Sequence, residues 1–503
     1  MQLLAQILDI EANKKSAILN DLDAEKFGLT LNDRVHISSQ NGSITCIVEL
    51  SSSLVKPGTI ALYKNVAKSI LASNGEKLEV NYEPTPQSVE FIRKKMNGEK
   101  LSEREIKSII NDLVKAELSD LDISAFLLAS NYIGLNEEEI KNITISMVET
   151  GQKLNLRGFT VDKHSIGGVP GNKVSLLIVP TVALTELLIP KTSSKAITSP
   201  SGTADTMSIL ANVKFELNEI KSIVEKVHGC IVWGGALNIA PADDLLIRIE
   251  NPLRIDPKGL MIASILSKKL AVGAKVVALD IPAGRGAKIS DSVEGEKLAK
   301  EFIEIGKTLG INIRAGITYG GQPVGKAIGP ALEAREALSA LIDPNLASMS
   351  LLSKASSLAG ILLETAGLAS RNTGYDISMG NLLSGKSYNK MKQIIAEQGG
   401  NPEVQPDQIP VGSYKHEFKA DNDGYIILVD NESIVRIAKA AGAPVDSGSG
   451  IILHKKQGYK VRKGDVLFEI YSDKSSKLSE AVNVANYDPP IIIEGMLLKV
   501  YPT

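Results

Sequence analysis

The chain has 503 residues, 43% hydrophobic and 23% charged, with a formal net charge of -2. At roughly 150 residues per domain, that length allows three or four cores, and the balance is that of a globular rather than a disordered chain. Near neutrality excludes the basic surplus of a phosphate-backbone binder, so no nucleic acid is expected as a partner, and the only two cysteines, Cys46 and Cys230, have neither a disulfide nor a zinc-site pattern.

The stretch from Met1 to Leu19 has no early basic region and no cleavage-like end, and the apolar run Val174 to Pro190 contains Pro180 and Glu186. Neither a signal peptide nor a membrane span is expected, so a cytoplasmic setting without a membrane partner is the reading. Residues 1–84 form a β-rich region: Ile44, Cys46, Val48 and Leu50 alternate beyond an Asn41-Gly42 turn, which predicts a hairpin. His36 falls in a strand pattern and is read as structural.

Tyr82 to Pro86 is the linker, its prolines blocking helix continuation. An all-α lobe over 85–159 follows, with apolar residues at helical spacing in Ser88 to Met96, Glu103 to Ala116, Ile123 to Tyr132 and Glu137 to Glu149. Ser102 with Glu105 makes a capping box, Asn136 starts the last helix and Gly151 can end it. The Glu and Lys runs of this lobe are read as solvated faces.

From Thr160, short β-rich runs alternate with helices, the pattern of a parallel α/β sheet over 160–410. Its first turn holds Lys163, His164, Ser165, Gly167, Gly168, Gly171, Asn172 and Lys173, followed by a strand-like apolar run from Val174 to Val182. Glycines let the backbone approach a ligand, while ammonium, hydroxyl and N–H groups grip anions. The spacing is neither that of a P-loop nor that of a dinucleotide fingerprint. A second loop, Ser194 to Ser199, carries hydroxyls and Lys195, and two anion loops suggest two phosphates. Val276 to Ile281 and Ile311 to Tyr319 end in Gly-rich loops, where α/β sheets bind ligands. Ahead of both, Asn251 to Ala271 is predicted helical. Beyond Pro410, the runs Gly424 to Val429, Gly450 to Leu453 and Lys463 to Ile470 predict an α+β domain over 411–503.

KHSIGGVPGNKVS, IPKTSSKAITSPSGTAD, VWGGALNIAPADD, ASILSKKLAVGAK and GQPVGKAIGPALEAREAL resemble, in order, the motifs of the pyrimidine nucleoside and thymidine phosphorylase family, most closely its archaeal-type AMP phosphorylase branch. The likeness runs from about Thr85 to the C-terminal end. It implies that 242–272 returns to the α lobe, that the site between lobes closes on a hinge, and that the N-terminal domain serves assembly of a homo-oligomer. The C-terminal turn Lys463-Gly464-Asp465 resembles that of biotinyl carrier folds, but no Met-Lys-Met site is present and no cofactor or metal is expected.

By the same resemblance the attacking phosphate belongs to Lys163, Ser165, Ser175, Ser193 and Thr203. The nucleotide belongs to Gly168, Ser194, Lys195, Ala196, Ile197, Thr198, Ser199, Thr203, Ser264, Lys268 and Lys288. Ser264 and Lys268 stand one helical turn apart. The arginine that joins these two in the nucleoside enzymes is replaced by Ile249, with Arg248 one position off, which weakens pyrimidine specificity. Asp256 is the implied acid, although Asp256-Pro257 also reads as an N-cap with an N1 proline, whose dipole would lower the carboxyl pKa.

Lys195, the hydroxyls around it and Lys288 suit a 5′-phosphate that nucleosides lack. The reading is therefore phosphorolysis of AMP with inorganic phosphate, extended to CMP and UMP. The alternatives are a pyrimidine nucleoside phosphorylase and a non-catalytic nucleotide-binding regulator.

Overall fold

The computed structural model describes residues 1–12, 14–196 and 199–495. It divides into two compact units, Met1–Ser146 with Ala242–Leu260, and Met147–Pro241 with Met261–Thr503.

The first unit opens with β1 (Gln2–Leu8), β2 (Ser16–Leu19), α1 (Asp21–Lys26), β3 (Arg34–Ser38), β4 (Ser43–Leu50), β5 (Thr59–Tyr63), α2 (Lys64–Ser69) and β6 (Lys77–Tyr82). The strands close into a barrel in the order β1-β5-β2-β4-β3-β6, which leaves no free edge. The expected hairpin forms around Asn41-Gly42, with Ile37 opposite Ile44. Leu3, Val35, Ile37, Val48, Ile60, Leu62, Leu78 and Val80 fill the interior.

Four helices follow: α3 (Gln87–Met96), α4 (Glu103–Val114), α5 (Asp120–Tyr132) and α6 (Glu137–Glu149). The Ser102/Glu105 box is made, and Asn136 Oδ1 accepts from Glu139 N at 3.0 Å. One expectation fails here. Glu137 and Glu138 are solvated, but Glu139 is buried and accepts from the equally buried Lys95 Nζ at 2.8 Å. Its second oxygen is held by Asn136 N, so the carboxylate serves as cap and ion-pair partner at once.

In the second unit come β7 (Val161–Ser165), α7 (Ser175–Val182), β8 (Ile189–Ser193), α8 (Thr203–Ser208), α9 (Leu217–Val227) and β9 (Gly229–Trp233). The chain then passes back through the first unit in α10 (Pro241–Leu253) and the start of α11 (Lys258–Ala271), and the second unit resumes with the rest of α11, β10 (Val276–Ala283), α12 (Ser292–Thr308) and β11 (Asn312–Tyr319). Strands β11-β10-β7 are parallel, as are β8-β9, and a parallel Thr160–Leu188 bridge links the two sets. The run Val174 to Val182 is a helix, not a strand: every residue of α7 is buried, and a short all-apolar run carries no periodicity to separate the two states. Asn251 to Ala271 is likewise not one helix, because the chain breaks at Arg254, whose φ is 52°.

The remainder is β12 (Ala327–Ile328), α13 (Pro330–Ile342), α14 (Met349–Thr365), α15 (Gly374–Leu383), α16 (Lys386–Glu397), β13 (Tyr414–Lys419), β14 (Gly424–Val429), α17 (Asn431–Ala440), β15 (Gly450–Leu453), β16 (Lys460–Val461), β17 (Val466–Ser472), α18 (Ser475–Tyr487) and β18 (Ile491–Glu494). The α+β C-terminal module has sheets β12-β15-β17-β13 and β16-β14-β18, and β12 comes from the loop after β11. Among the described residues no helix is long and apolar enough to cross a membrane.

Candidate active site

Strand β7 is covered on both faces, so its polar residues are interior: Asp162 is 0% and Lys163 3% exposed. Asp162 pairs with Lys269 Nζ of α11 at 2.6 Å and also accepts from Lys163 N at 2.7 Å. On the neighbouring strand β10, buried Asp280 gathers Lys354 Nζ of α14 at 3.1 Å, Thr318 Oγ1 at 2.6 Å, Asn172 Nδ2 at 3.1 Å and, more distantly, Lys163 Nζ at 3.9 Å. Burial alone would raise the Asp280 carboxyl, but Lys354, Lys163 and the Thr318 and Ser165 hydroxyls outweigh it and hold it below its ordinary value.

The amines shift the opposite way. Burial brings Lys163 down to about 8, against the pull of Asp280. Burial and then the Lys269 charge push Lys191 well below its usual value. His164 is driven down by burial and by Lys269, Lys191, Lys268 and Lys163, so it stands neutral, its Nδ1 buried without a hydrogen bond. Lys163, Lys191, Lys269 and Lys354 thus face Asp162 and Asp280, four buried amines against two buried carboxylates. Because burial pulls Lys163 and Lys191 toward the neutral form, an anion that favours their charged form is the ligand such a cluster suits.

The first loop turns at Gly167 and Gly168, whose φ values of 85° and 87° fall in the left-handed region. A Cβ on Gly168 would lie 2.7 Å from Lys288 N, so the fold brings the first loop against the PAGRGAK loop after β10. Ser165 Oγ accepts from Asn172 Nδ2 at 3.1 Å. Lys173 points inward to Glu336 at 2.7 Å and Val324 O at 3.2 Å, so it braces the loop after β11 and is no anion ligand.

Ser193 ends β8, buried Ser175 begins α7, and Thr203 begins α8; all follow the C-terminal ends of β7 or β8. Asp205 staples the second loop by accepting from Ala196 N at 2.6 Å and Gly202 N at 3.0 Å. Ser194 and Lys195 are exposed, and Ser199 Oγ donates to Ser201 O at 3.1 Å. Ile197 and Thr198 lie outside the described residues. Lys268 Nζ stands 3.4 Å from Ser264 Oγ, on the shared helix face expected, and its charge reaches His164 and Lys191.

Asp256 belongs to the first unit and is exposed; Pro257 lies just before α11 rather than inside it. Arg248 pairs with Asp120, at 3.2 Å in the same unit. Asp162, Asp280, Lys191, Lys269 and Lys354 were not singled out from the sequence. The available signal was a lone acid in the otherwise apolar run Val276 to Ile281. Among the described residues no group of three or more His, Cys, Asp or Glu is placed to hold a metal ion.

A pH test follows from Lys163. It is cationic below about 8 and neutral above, so an anion held by it should be lost as pH rises through that value. The KM for inorganic phosphate should climb above pH 8, and binding there should take up a proton, detectable by calorimetry in buffers of different ionisation heat. A KM that stays flat to pH 9.5 would remove Lys163 from the anion site.

Residues 89–151 match the helical bundle domain and 157–338 the a/b domain of the glycosyl transferase family, and 425–491 match the pyrimidine nucleoside phosphorylase C-terminal domain. Residues 5–92 match a molydopterin dinucleotide binding domain. In that span the described apolar residues Leu3, Val35, Ile37, Val48, Ile60 and Leu62 form a packed core. Over 98% of its length the chain is 48% identical to AMP phosphorylase 1 of Archaeoglobus fulgidus, covering 97% of that protein. It is 48% identical to the AMP phosphorylase of Thermococcus kodakarensis and 47% to that of Pyrococcus furiosus, with at least 98% of each chain covered. Anthranilate phosphoribosyltransferase from Thermus thermophilus shares the fold, with a TM-score of 0.52 at 18% identity over 61% of this chain and 99% of that one.

Proposed function

The chain belongs to the AMP phosphorylase family, and from that premise we propose that it cleaves AMP with inorganic phosphate to adenine and ribose 1,5-bisphosphate. The observation that carries the reading is 48% identity sustained over 98% of the chain. The excess of buried lysine around β7 supports it. The C1′–N9 bond breaks as a phosphate oxygen bonds C1′, and a proton goes to the departing base.

In this reading Lys163, Ser165, Ser175, Ser193 and Thr203 hold the attacking phosphate. Fixed N–H, O–H and ammonium donors stabilise it without reorganising during reaction. Gly168, the loop 194–199, Ser264, Lys268 and Lys288 hold the nucleotide, and Asp256 supplies or shares the proton. With Ile249 in place of the pyrimidine-selecting arginine the base pocket is less restricted, and CMP and UMP are proposed as substrates beside AMP. Two free, buried thiols, Cys46 and Cys230, suit a reducing cytoplasm. Incubation with AMP, adenosine or thymidine, with and without phosphate, tests the reaction by base release; phosphate-dependent release from thymidine but not AMP would overturn it.

Lys288→Ala should lower AMP turnover by roughly 10- to 100-fold, about 1.4–3 kcal/mol for a lost charge-assisted hydrogen bond. The AMP-to-adenosine rate ratio should collapse with it. An equal fall on both substrates would mark a structural loss and reject the 5′-phosphate contact.

The protein is proposed to act as a homo-oligomer assembled through residues 1–84. Leu121, Leu128 and Tyr132 also expose an apolar stripe along α5, at 72%, 39% and 79%. Removal of residues 1–84 should leave the remaining helices and sheets folded and lower the assembly state seen by light scattering. An unchanged assembly would reject the role.

A further inference from the structure

The only tryptophan of the chain, Trp233, ends β9. It stands directly across from Ser193 in the parallel β8-β9 register, at the C-terminal edge of the sheet where the second anion loop leaves. Two ammonium groups lie over its ring. Lys195 Nζ is 4.8 Å and Lys214 Nζ 5.7 Å from a ring centroid. The indole is seated against the next turn, because a Cβ on Gly235 would lie 2.9 Å from its Nε1.

Lys214 rides on a braced segment. Asn212 accepts from Lys214 N at 3.0 Å and donates to its carbonyl at 2.8 Å. Buried Gln398 donates to Asn212 O at 2.7 Å and to Ile231 O of β9 at 2.9 Å, while Trp233 N donates to Val213 O at 2.8 Å. Lys195 instead belongs to the loop stapled by Asp205. One ring therefore joins a lysine of the second anion loop to a lysine on a separate, rigid support.

We propose that Lys195, Lys214 and Trp233 form a clamp for the 5′-phosphate of the nucleotide, with Lys214 a specificity residue and Trp233 a positioning residue that holds both ammonium groups. This rests on the reading that AMP is the substrate and that Lys195 meets its phosphate. The energetics suit exchange. An exposed cation–π contact is weaker than a charge-assisted hydrogen bond, so a dianion draws the ammonium groups from the ring. The ring keeps two like charges together until the dianion arrives, whereas a neutral nucleoside offers nothing to exchange for it.

Because Trp233 is the sole indole, its emission reports on the clamp. Titration with AMP in the absence of inorganic phosphate should change it saturably, and adenosine or inorganic phosphate alone should not. Lys214→Ala and Trp233→Leu should each lower the AMP-to-adenosine ratio of kcat/KM by about 5- to 20-fold, through KM for AMP. Trp233→Phe should recover most of that loss, and KM for inorganic phosphate should stay put. Equal emission changes with AMP and adenosine, or equal kinetic losses on both, overturn the clamp. If Lys195→Ala lowers the ratio while the Lys214 and Trp233 variants do not, the clamp falls and the reading of Lys195 stands. If AMP is phosphorolysed and none of the three changes the ratio, both fall; absence of AMP turnover together with unchanged emission rejects the substrate itself.

Discussion

Replacing Lys163 by methionine should lower kcat/KM for inorganic phosphate by about 30-fold to several thousand-fold, the equivalent of about 2–5 kcal/mol for truncating one partner of a desolvated charge pair. The same protein should melt no lower than the parent. Lys163 is 3% exposed, burial lowers its pKa to about 8, and its partner Asp280 lies 3.9 Å away with Lys354 nearer, at 3.1 Å. Folding therefore desolvates an ammonium group that the protein does not fully pair, and an apolar side chain of similar length relieves that cost. Ser165→Ala should raise the phosphate KM in the same direction by less. A variant that melts lower yet keeps its phosphate kinetics would show Lys163 to be structural.

Asp162→Ala should destabilise the second unit by about 3–5 kcal/mol, because it strands Lys269 without its charge partner in the interior. Both side chains are 0% exposed and 2.6 Å apart. Lys191 and Lys163 sense the same carboxylate, so its removal leaves three amines facing one another. Combining Asp162→Val with Lys269→Met should return most of the loss, since replacing both members of a buried pair by apolar groups is often close to neutral. Denaturant midpoints of the two single variants and the double variant measure this. Single changes that cost under about 1 kcal/mol would mean that water or another group already compensates Lys269.

The two predictions differ in how far they could have been made without the structure. Lys163 and Ser165 stood out from the sequence because they occur within a Gly-rich motif whose residues are neighbours along the chain. Asp162 next to them did not, since its meaning depends on Lys269, 107 residues away.

The sequence by itself determined what short-range forces control. The Asn41-Gly42 hairpin, the Ser102/Glu105 cap and the start and end of α6 all rest on groups within a few residues of one another, so their local chemistry sufficed. It also determined the two Gly-rich loops and the Ser264/Lys268 pair one helical turn apart. Tertiary structure decided the rest. Val174 to Val182 could not be told from a strand in the sequence, because burial on every side removes the periodicity that marks a helix. Of the lysines in the first loop, Lys163 faced Asp280 while Lys173 turned to Glu336, and nothing within either residue's own turn distinguishes those fates. Lys95 and Glu139 went inside where a charged run reads as surface. In each case the outcome is set by desolvation and by partners brought from elsewhere in the chain, and those terms exist only once the strands and helices have packed.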